Sequence, residues 1–206
     1  MKPIAVSFVV PAFNEEEVIK STLKKIADYV AEHHKELGRC EVVVVAAGTD
    51  KTPKIAATFA QKFDELQILT PTGRVGKGRD VRVGMQAAKG ELQIFMDADL
   101  STPLHHILPM VKALRDGNDV VVGARRLSKI HEGRMRSMLS VASNLAIRTI
   151  LLPRYRDTQC GFKGFTALAS QILFEKQDIK GWGFDLEILQ YAKEARLKVK
   201  QLSIND

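Results

Sequence analysis

The sequence predicts an α/β protein with a mostly parallel central sheet and helices on both faces. Two observations carry this. Short β-rich runs alternate with stretches of helical spacing from Ile4 to Val122, and a βαβαβ order implies parallel pairing through crossover helices. Some runs, such as Glu41-Val-Val-Val-Val45, are apolar throughout, the pattern of strands covered on both faces.

The elements follow in order. Ile4 to Val10 is a strand ended by Pro11. Glu15 to His33 has helical spacing, with Val18, Leu23, Ile26 and Val30 on one side. Asn14 is placed to cap it, and Glu15 to Glu17 fill its first turn. Glu41 to Val45 is a strand, Lys54 to Phe63 a helix, Gln67 to Leu69 a strand and Gly78 to Ala88 a helix. Leu92 to Met96 and Val120 to Val122 are strands flanking a helix from Leu104 to Leu114. Beyond Gly123 the chain is rich in arginine, with an apolar, helix-like section from Leu139 to Leu152. Asp157 to Phe165 reads as a loop, Ala167 to Phe174 as a helix and Gly181 to Gly183 as a turn. Phe184 to Glu194 is a helix and Leu197 to Ile204 a final strand. One domain over 1–206 is expected, divided into a ligand-binding half, 1–123, and an acceptor half, 124–206.

Composition narrows the function. The chain has 206 residues, 45% hydrophobic and 27% charged, enough for a buried core of ordinary globular type. Its net charge of +7 favours an anionic partner. Aromatics are sparse and not interleaved with basic runs, so nucleic acid is not expected. Cys40 and Cys160 have neither disulfide-framework nor metal-site spacing. No signal peptide and no bilayer-spanning segment are expected.

The residues that carry chemistry are grouped. Phe95-Met-Asp97-Ala-Asp99 sends a strand straight into two acids. Residues i and i+2 of a strand share a face, so both carboxylates can aim at the carboxyl edge of the sheet, where such folds bind ligands. Two convergent carboxylates call for a cation, with a polar turn and helix cap as the plainer alternative. Pro11-Ala12-Phe-Asn14-Glu15 forms the loop after the first strand. Gly73-Arg-Val-Gly-Lys77-Gly-Arg79 is a basic glycine loop opening a helix, suited to phosphate but lacking P-loop spacing. Arg125, Arg126, Arg134 and Arg136 offer planar donor forks for a phosphate. The loops carrying Asp157 and Lys163, and Asp185 and Glu187, combine polar groups with glycine and aromatics and are candidate catalytic segments. His105 and His106 read as surface residues.

Together Val9-Val-Pro-Ala-Phe-Asn-Glu-Glu, Gly76-Lys-Gly, Gly84-Met-Gln-Ala-Ala-Lys-Gly, Phe95-Met-Asp-Ala-Asp, Val121-Val-Gly-Ala-Arg, Asp157-Thr-Gln-Cys-Gly-Phe-Lys and Gly183-Phe-Asp-Leu-Glu resemble family 2 glycosyltransferases. Within that family the set is similar to the dolichyl-phosphate glucosyltransferase and polyprenyl-phosphate mannosyltransferase branch. The resemblance implies a Rossmann-like nucleotide-sugar-binding fold of the GT-A type. It implies inverting transfer of a hexose, glucose foremost, from a nucleoside-diphosphate sugar to a polyprenyl or dolichyl phosphate. UDP-glucose is the favoured donor and GDP-mannose the alternative. It implies Mg2+ or Mn2+ held by Asp97, Asp99 and Ser101, and a donor site from Pro11, Ala12, Asn14, Glu15, Asp50, Lys77, Arg79 and Asp97. Catalytic roles would fall to Asp157, Lys163, Asp185 and Glu187. Work on a lipid phosphate would place the protein peripherally at the cytoplasmic face of a membrane, with the 139–152 section lying on its surface. One departure stands out. The acidic pair usual after the second strand is absent from Val45-Ala-Ala-Gly-Thr-Asp50, where only Asp50 remains. A soluble saccharide acceptor, or a degenerate nucleotide-binding homologue, are the alternative readings.

Overall fold

The computed structural model describes residues 3–73, 75–125, 155 and 157–205. Among these, β1 (Val6–Phe13) leads through α1 (Ile19–Glu32) and the short α2 (His34–Leu37) to β2 (Cys40–Ala47). Then come α3 (Thr52–Ala57), β3 (Glu65–Leu69), α4 (Lys77–Ala87), β4 (Leu92–Met96), α5 (Ile107–Arg115) and β5 (Val120–Arg125). The last elements are β6 (Phe162–Thr166), α6 (Ala167–Lys176), α7 (Phe184–Glu194) and β7 (Val199–Ile204). The seven strands form one sheet in the order β3-β2-β1-β4-β6-β5-β7, and β6 alone runs antiparallel to its neighbours.

Alternate residues of each strand feed two cores. Phe8 and Val10 face Leu23 and Ile26 of α1 and Met110 of α5. Val9 and Phe95 face Val81 and Met85 of α4, Leu173 of α6 and Ile188 of α7. Helices therefore cover both faces, as the apolar runs predict. Helix α4 packs tightly on the sheet at Gly84, where a side chain would collide with Val9 Cγ1 and Val45 Cγ2.

The structure corrects several boundaries. Strand β1 does not stop at Pro11 but pairs through Phe13. A proline is tolerated there because β4 pairs only as far as Val9, so beyond that point β1 has a single neighbour. Asn14 does not cap α1, which begins at Ile19 behind Val18 with no side-chain cap. The expected helix from Lys54 to Phe63 is α3 followed by a separate 3-10 turn at Ala60–Lys62. The Thr58 hydroxyl, bonded back to Ile55 O at 2.7 Å, competes at the break. The helix expected from Leu104 opens as a 3-10 turn before α5. Asp157 to Phe165 is not all loop: Phe162 onward is β6, whose Gly164 lies tight under Met110 and Leu114. His106 is buried, its Nε2 2.8 Å from Asn205 O, while His105 is exposed. The Leu139 to Leu152 section lies outside the described residues. No helix among the described residues is long and apolar enough to cross a membrane.

Candidate active site

Parallel β1 and β4 lie side by side, so the segments that follow them open at the same carboxyl edge, the place where open α/β sheets bind ligands. A cleft of about 330 Å3 sits there. Pro11, Ala12 and Phe13 at the end of β1 form one wall, with Glu15 beyond them. Asp97, Ala98 and Asp99 line it after β4, Gly76, Lys77 and Asp80 at the start of α4, and Trp182 at the mouth.

Asp97 and Asp99 do not extend β4. The strand ends at Met96, and the acids occupy a turn in which Leu100 N donates to Asp97 O at 3.0 Å. Leu100 takes a left-handed conformation, φ 51°, to close it. The turn is held from three sides. Asp97 N donates to Gly161 O at 3.1 Å, the Thr22 hydroxyl of α1 donates to Ala98 O, and Ser101 N donates to Asp99 Oδ1 at 2.9 Å. Thus the acids converge through a pinned turn rather than through strand alternation, and Asp99 closes its own turn instead of capping a helix.

The cleft has strong local charge. Lys77 Nζ lies 2.6 Å from Asp97 Oδ1, 4.7 Å from the Trp182 ring centre and 5.9 Å from that of Phe95. Burial, then repulsion from Asp99, Asp50 and Asp97, pushes the Glu15 carboxyl above its ordinary range. Asp80 is also pushed up by burial, which the Arg79 guanidinium 2.8 Å away opposes.

The donor set suits a hard divalent cation. Among the described residues no group of three or more His, Cys, Asp or Glu could hold a metal by itself. Mg2+ sites on phosphate substrates, however, use one or two carboxylates and complete their shell with phosphate oxygens and water. Asp97 and Asp99 supply such a pair, and the ammonium already seated on Asp97 shows that positive charge is accommodated there.

Other expected residues serve the frame. Asn14, with φ 54°, accepts from Thr49 N at 3.0 Å through Oδ1. A side chain at Gly48, whose φ is +118°, would strike that amide. Asp50 accepts from Glu16 N at 2.9 Å and Thr52 N at 3.0 Å, one on each oxygen. Arg79 donates to Thr72 O and Gly73 O, fixing the glycine loop. Ser101 is exposed beside the turn. Asp157 takes a two-point ion pair from Arg125, Nε to Oδ2 at 2.7 Å and Nη2 to Oδ1 at 3.3 Å. Burial alone would raise Asp157, but these bonds hold it below the usual carboxylate range. Lys163 is sealed inside, its Nζ 2.5 Å from Asp185 Oδ1, 2.6 Å from Cys160 O and 5.5 Å from the Phe95 ring centre. Glu187 accepts from Asp178 N and Ile179 N, at 3.0 Å and 2.9 Å, and anchors the segment before Trp182. Arg126, Arg134 and Arg136 lie outside the described residues.

The structure therefore brings Pro11, Ala12, Glu15, Lys77, Asp97 and Asp99 together at one cleft. It adds Asp80 and Trp182, which the sequence reading did not assign. Asp80 lies three residues beyond Lys77, and Trp182 is an aromatic between two glycines. Those were the signals available.

Residues 7–176 match the family described as Glycosyl transferase family 2. The chain belongs to this family. A family relative, a dolichyl-phosphate beta-glucosyltransferase from Trichomonas vaginalis, is 32% identical over 98% of the chain and 65% of its own length. The chain thus spans just under two thirds of that relative. Among solved structures, glucosyl-3-phosphoglycerate synthase from Mycobacterium tuberculosis, in complex with Mn2+, UDP-glucose and phosphoglyceric acid, superposes with a TM-score of 0.70. It is 20% identical, over 97% of this chain and 69% of that one. A mannosyltransferase from Pyrobaculum calidifontis in complex with GDP-Man and Mn2+ gives 0.64 at 19% identity, over 100% of this chain and 57% of its own. These likenesses establish the GT-A type of fold.

Proposed function

We propose that the protein transfers a hexose, glucose foremost, from a nucleoside-diphosphate sugar to a polyprenyl or dolichyl phosphate, with inversion and with Mg2+ or Mn2+. The observation that carries this reading is the convergence of Asp97, Asp99 and Lys77 on one cleft at the carboxyl edge of β1 and β4. Similarity over 98% of the chain to a dolichyl-phosphate glucosyltransferase supports the lipid acceptor.

In this reading Pro11 to Phe13 seat the nucleoside, and Lys77 neutralises part of the diphosphate charge. Asp97 and Asp99 would hold the divalent cation, with Ser101 adjacent. When bound, that cation supplies Lewis-acid stabilisation of the leaving diphosphate. The acceptor phosphate carries its own nucleophilic oxygen, largely ionised near neutral pH because its second pKa is about 6. It needs cationic positioning more than a base, a role for Arg125, Arg126, Arg134 and Arg136. Lys163 and Asp185, closed on each other, and Glu187, closed on backbone amides, then act by holding the site's walls. UDP-glucose is the favoured donor and GDP-mannose the alternative. A lipid substrate places the protein at a membrane surface, on its cytoplasmic face.

One observation favours a second reading, a homologue that binds nucleotide without turnover. Where related enzymes carry acids after β2, this chain has buried Ala46 and Ala47, and Asp50 spends both oxygens on backbone amides. A matrix of UDP-glucose and GDP-mannose against polyprenyl phosphate and soluble saccharides, read by mass spectrometry, separates the readings. Glycosylated prenyl phosphate is the expected product. A soluble glycoside as the sole product overturns the lipid acceptor, and nucleotide binding with no product in any arm overturns the transferase reading.

A further inference from the structure

Lys77 is a conspicuous element of the cleft because it occupies a carboxylate oxygen that the proposed cation needs. An ammonium nitrogen at 2.6 Å from Asp97 Oδ1 competes with a metal for that oxygen, since a Mg2+–O bond is about 2.0–2.1 Å and two cations so close repel. The lysine is also held in place. Its ammonium faces the indole of Trp182 at 4.7 Å, a favourable cation–π distance. The segment bearing Trp182 is fastened to the first turn of α4. Arg79 N donates to Lys180 O at 3.1 Å, and Gln177 Nε2 donates to Gly78 O at 2.9 Å and Ile179 O at 3.0 Å. Side chains at Gly76 or Gly78 would collide with the Lys180, Ile179 or Gly181 carbonyls. Glu187 secures the same segment from α7.

We propose that Lys77, steadied by Trp182, is an internal counter-cation that makes metal binding at Asp97 conditional on a nucleoside diphosphate. A diphosphate entering the cleft offers the Lys77 ammonium a more highly charged partner. Lys77 moves onto it and frees Asp97 Oδ1, so that Asp97 and Asp99 together would be available to hold the metal beside the diphosphate. Metal and nucleotide then favour each other reciprocally, as linkage requires. The inference rests on the donor site of the proposed function and adds to it two positioning residues and a cause for their coupling. Trp182, the only tryptophan in the chain and two-thirds exposed at 67%, reports the movement because its cationic neighbour leaves.

The test is a Mn2+ titration followed by the EPR signal of free ion, with and without UDP or GDP, alongside Trp182 emission. In the native sequence, the better nucleotide should tighten Mn2+ by at least ~tenfold, equivalent to about 1.4 kcal/mol. Lys77→Gln should bind Mn2+ alone about tenfold more tightly than the native chain, by the same conversion. Its gain from nucleotide and its Trp182 emission change should both shrink, while Lys77→Arg, which keeps the cation, should behave as native. Native protein that binds Mn2+ equally well with and without nucleotide overturns the proposal whatever the variants do. So does a folded Lys77→Gln whose nucleotide-free Mn2+ affinity is unchanged. Mn2+ that fails to bind even with UDP and GDP overturns the metal part of the proposed function itself, a result distinct from either of those.

Discussion

Asp97 is held by the fold through both its backbone and its side chain. Its amide donates to Gly161 O, its carbonyl accepts from Leu100 N, and one carboxylate oxygen meets Lys77. The carboxylate also lies over Gly161, where an added Cβ would overlap Asp97 Oδ2. Gly161→Ala should therefore displace the end of a side chain rather than the backbone. The expected cost is about 1 kcal/mol, roughly 2–4 °C in Tm for a chain of this size, with Mn2+-dependent nucleotide binding largely lost. Calorimetry with paired melting curves checks it; a variant that binds normally means that Asp97 is not set by this contact. Asp157 gives a pH prediction. Its folded-state pKa is depressed, so its contribution is fully present above the unfolded value of about 3.9 and is lost as pH falls through the lower folded value. Asp157→Asn should lower Tm at pH 6 and converge with the native protein towards pH 2–3. A constant difference across that range contradicts the ion-pair account. At this scale the sequence was informative about charge. Two acids after a strand and a lysine after a glycine are visible as letters, but Asn14 looked like a cap because cap residues also suit loops. Its partner Thr49 lies 35 positions away, a distance no local pattern spans.

Among the strands, β6 is the one the sequence concealed. Phe162-Lys-Gly-Phe-Thr offers a charge and a glycine where a central strand usually carries β-branched residues. The reasons are tertiary. Gly164 makes room for Met110 and Leu114, and Lys163 enters the core because Asp185 of α7 meets it there. Burial pushes Asp185 up, and the Lys163 charge opposes it. Breaking a buried pair is costly when one charge is left behind, roughly 3–5 kcal/mol, whereas replacing both partners with apolar residues is often neutral. Lys163→Met should thus lower urea stability strongly, and Lys163→Met with Asp185→Leu should recover much of the loss. A double variant no more stable than the worse single variant would show that the pair contributes more than mutual neutralisation. The remaining elements were legible where hydrophobic periodicity ran unbroken, as in β4 and α7. Their ends were legible only where local chemistry decides them. The run of β1 beyond Pro11 depends on how far its neighbour β4 extends.

Across the whole molecule, the sheet order places β1 and β4 together and sends α1 and α4 to opposite faces, which opens the crevice that the acids, Lys77 and Trp182 line. The alternation of strands and helices foretold this layering. It did not foretell the antiparallel insertion that carries Gly161 against Asp97 from beyond residue 125 in the chain. The overall excess of positive charge, +7, has the sign that the phosphate-bearing donor and acceptor of the proposed function call for. The central claim is that a divalent cation held at Asp97 and Asp99 anchors a nucleoside diphosphate in this cleft. Titration calorimetry of UDP and GDP into native and Asp99→Asn protein, in Mn2+ and in EDTA, tests it most directly. The account predicts Mn2+-dependent binding that Asp99→Asn weakens at least ~tenfold, or about 1.4 kcal/mol. Equal affinity in EDTA, or an Asp99→Asn protein that binds as tightly as native in Mn2+, would contradict it.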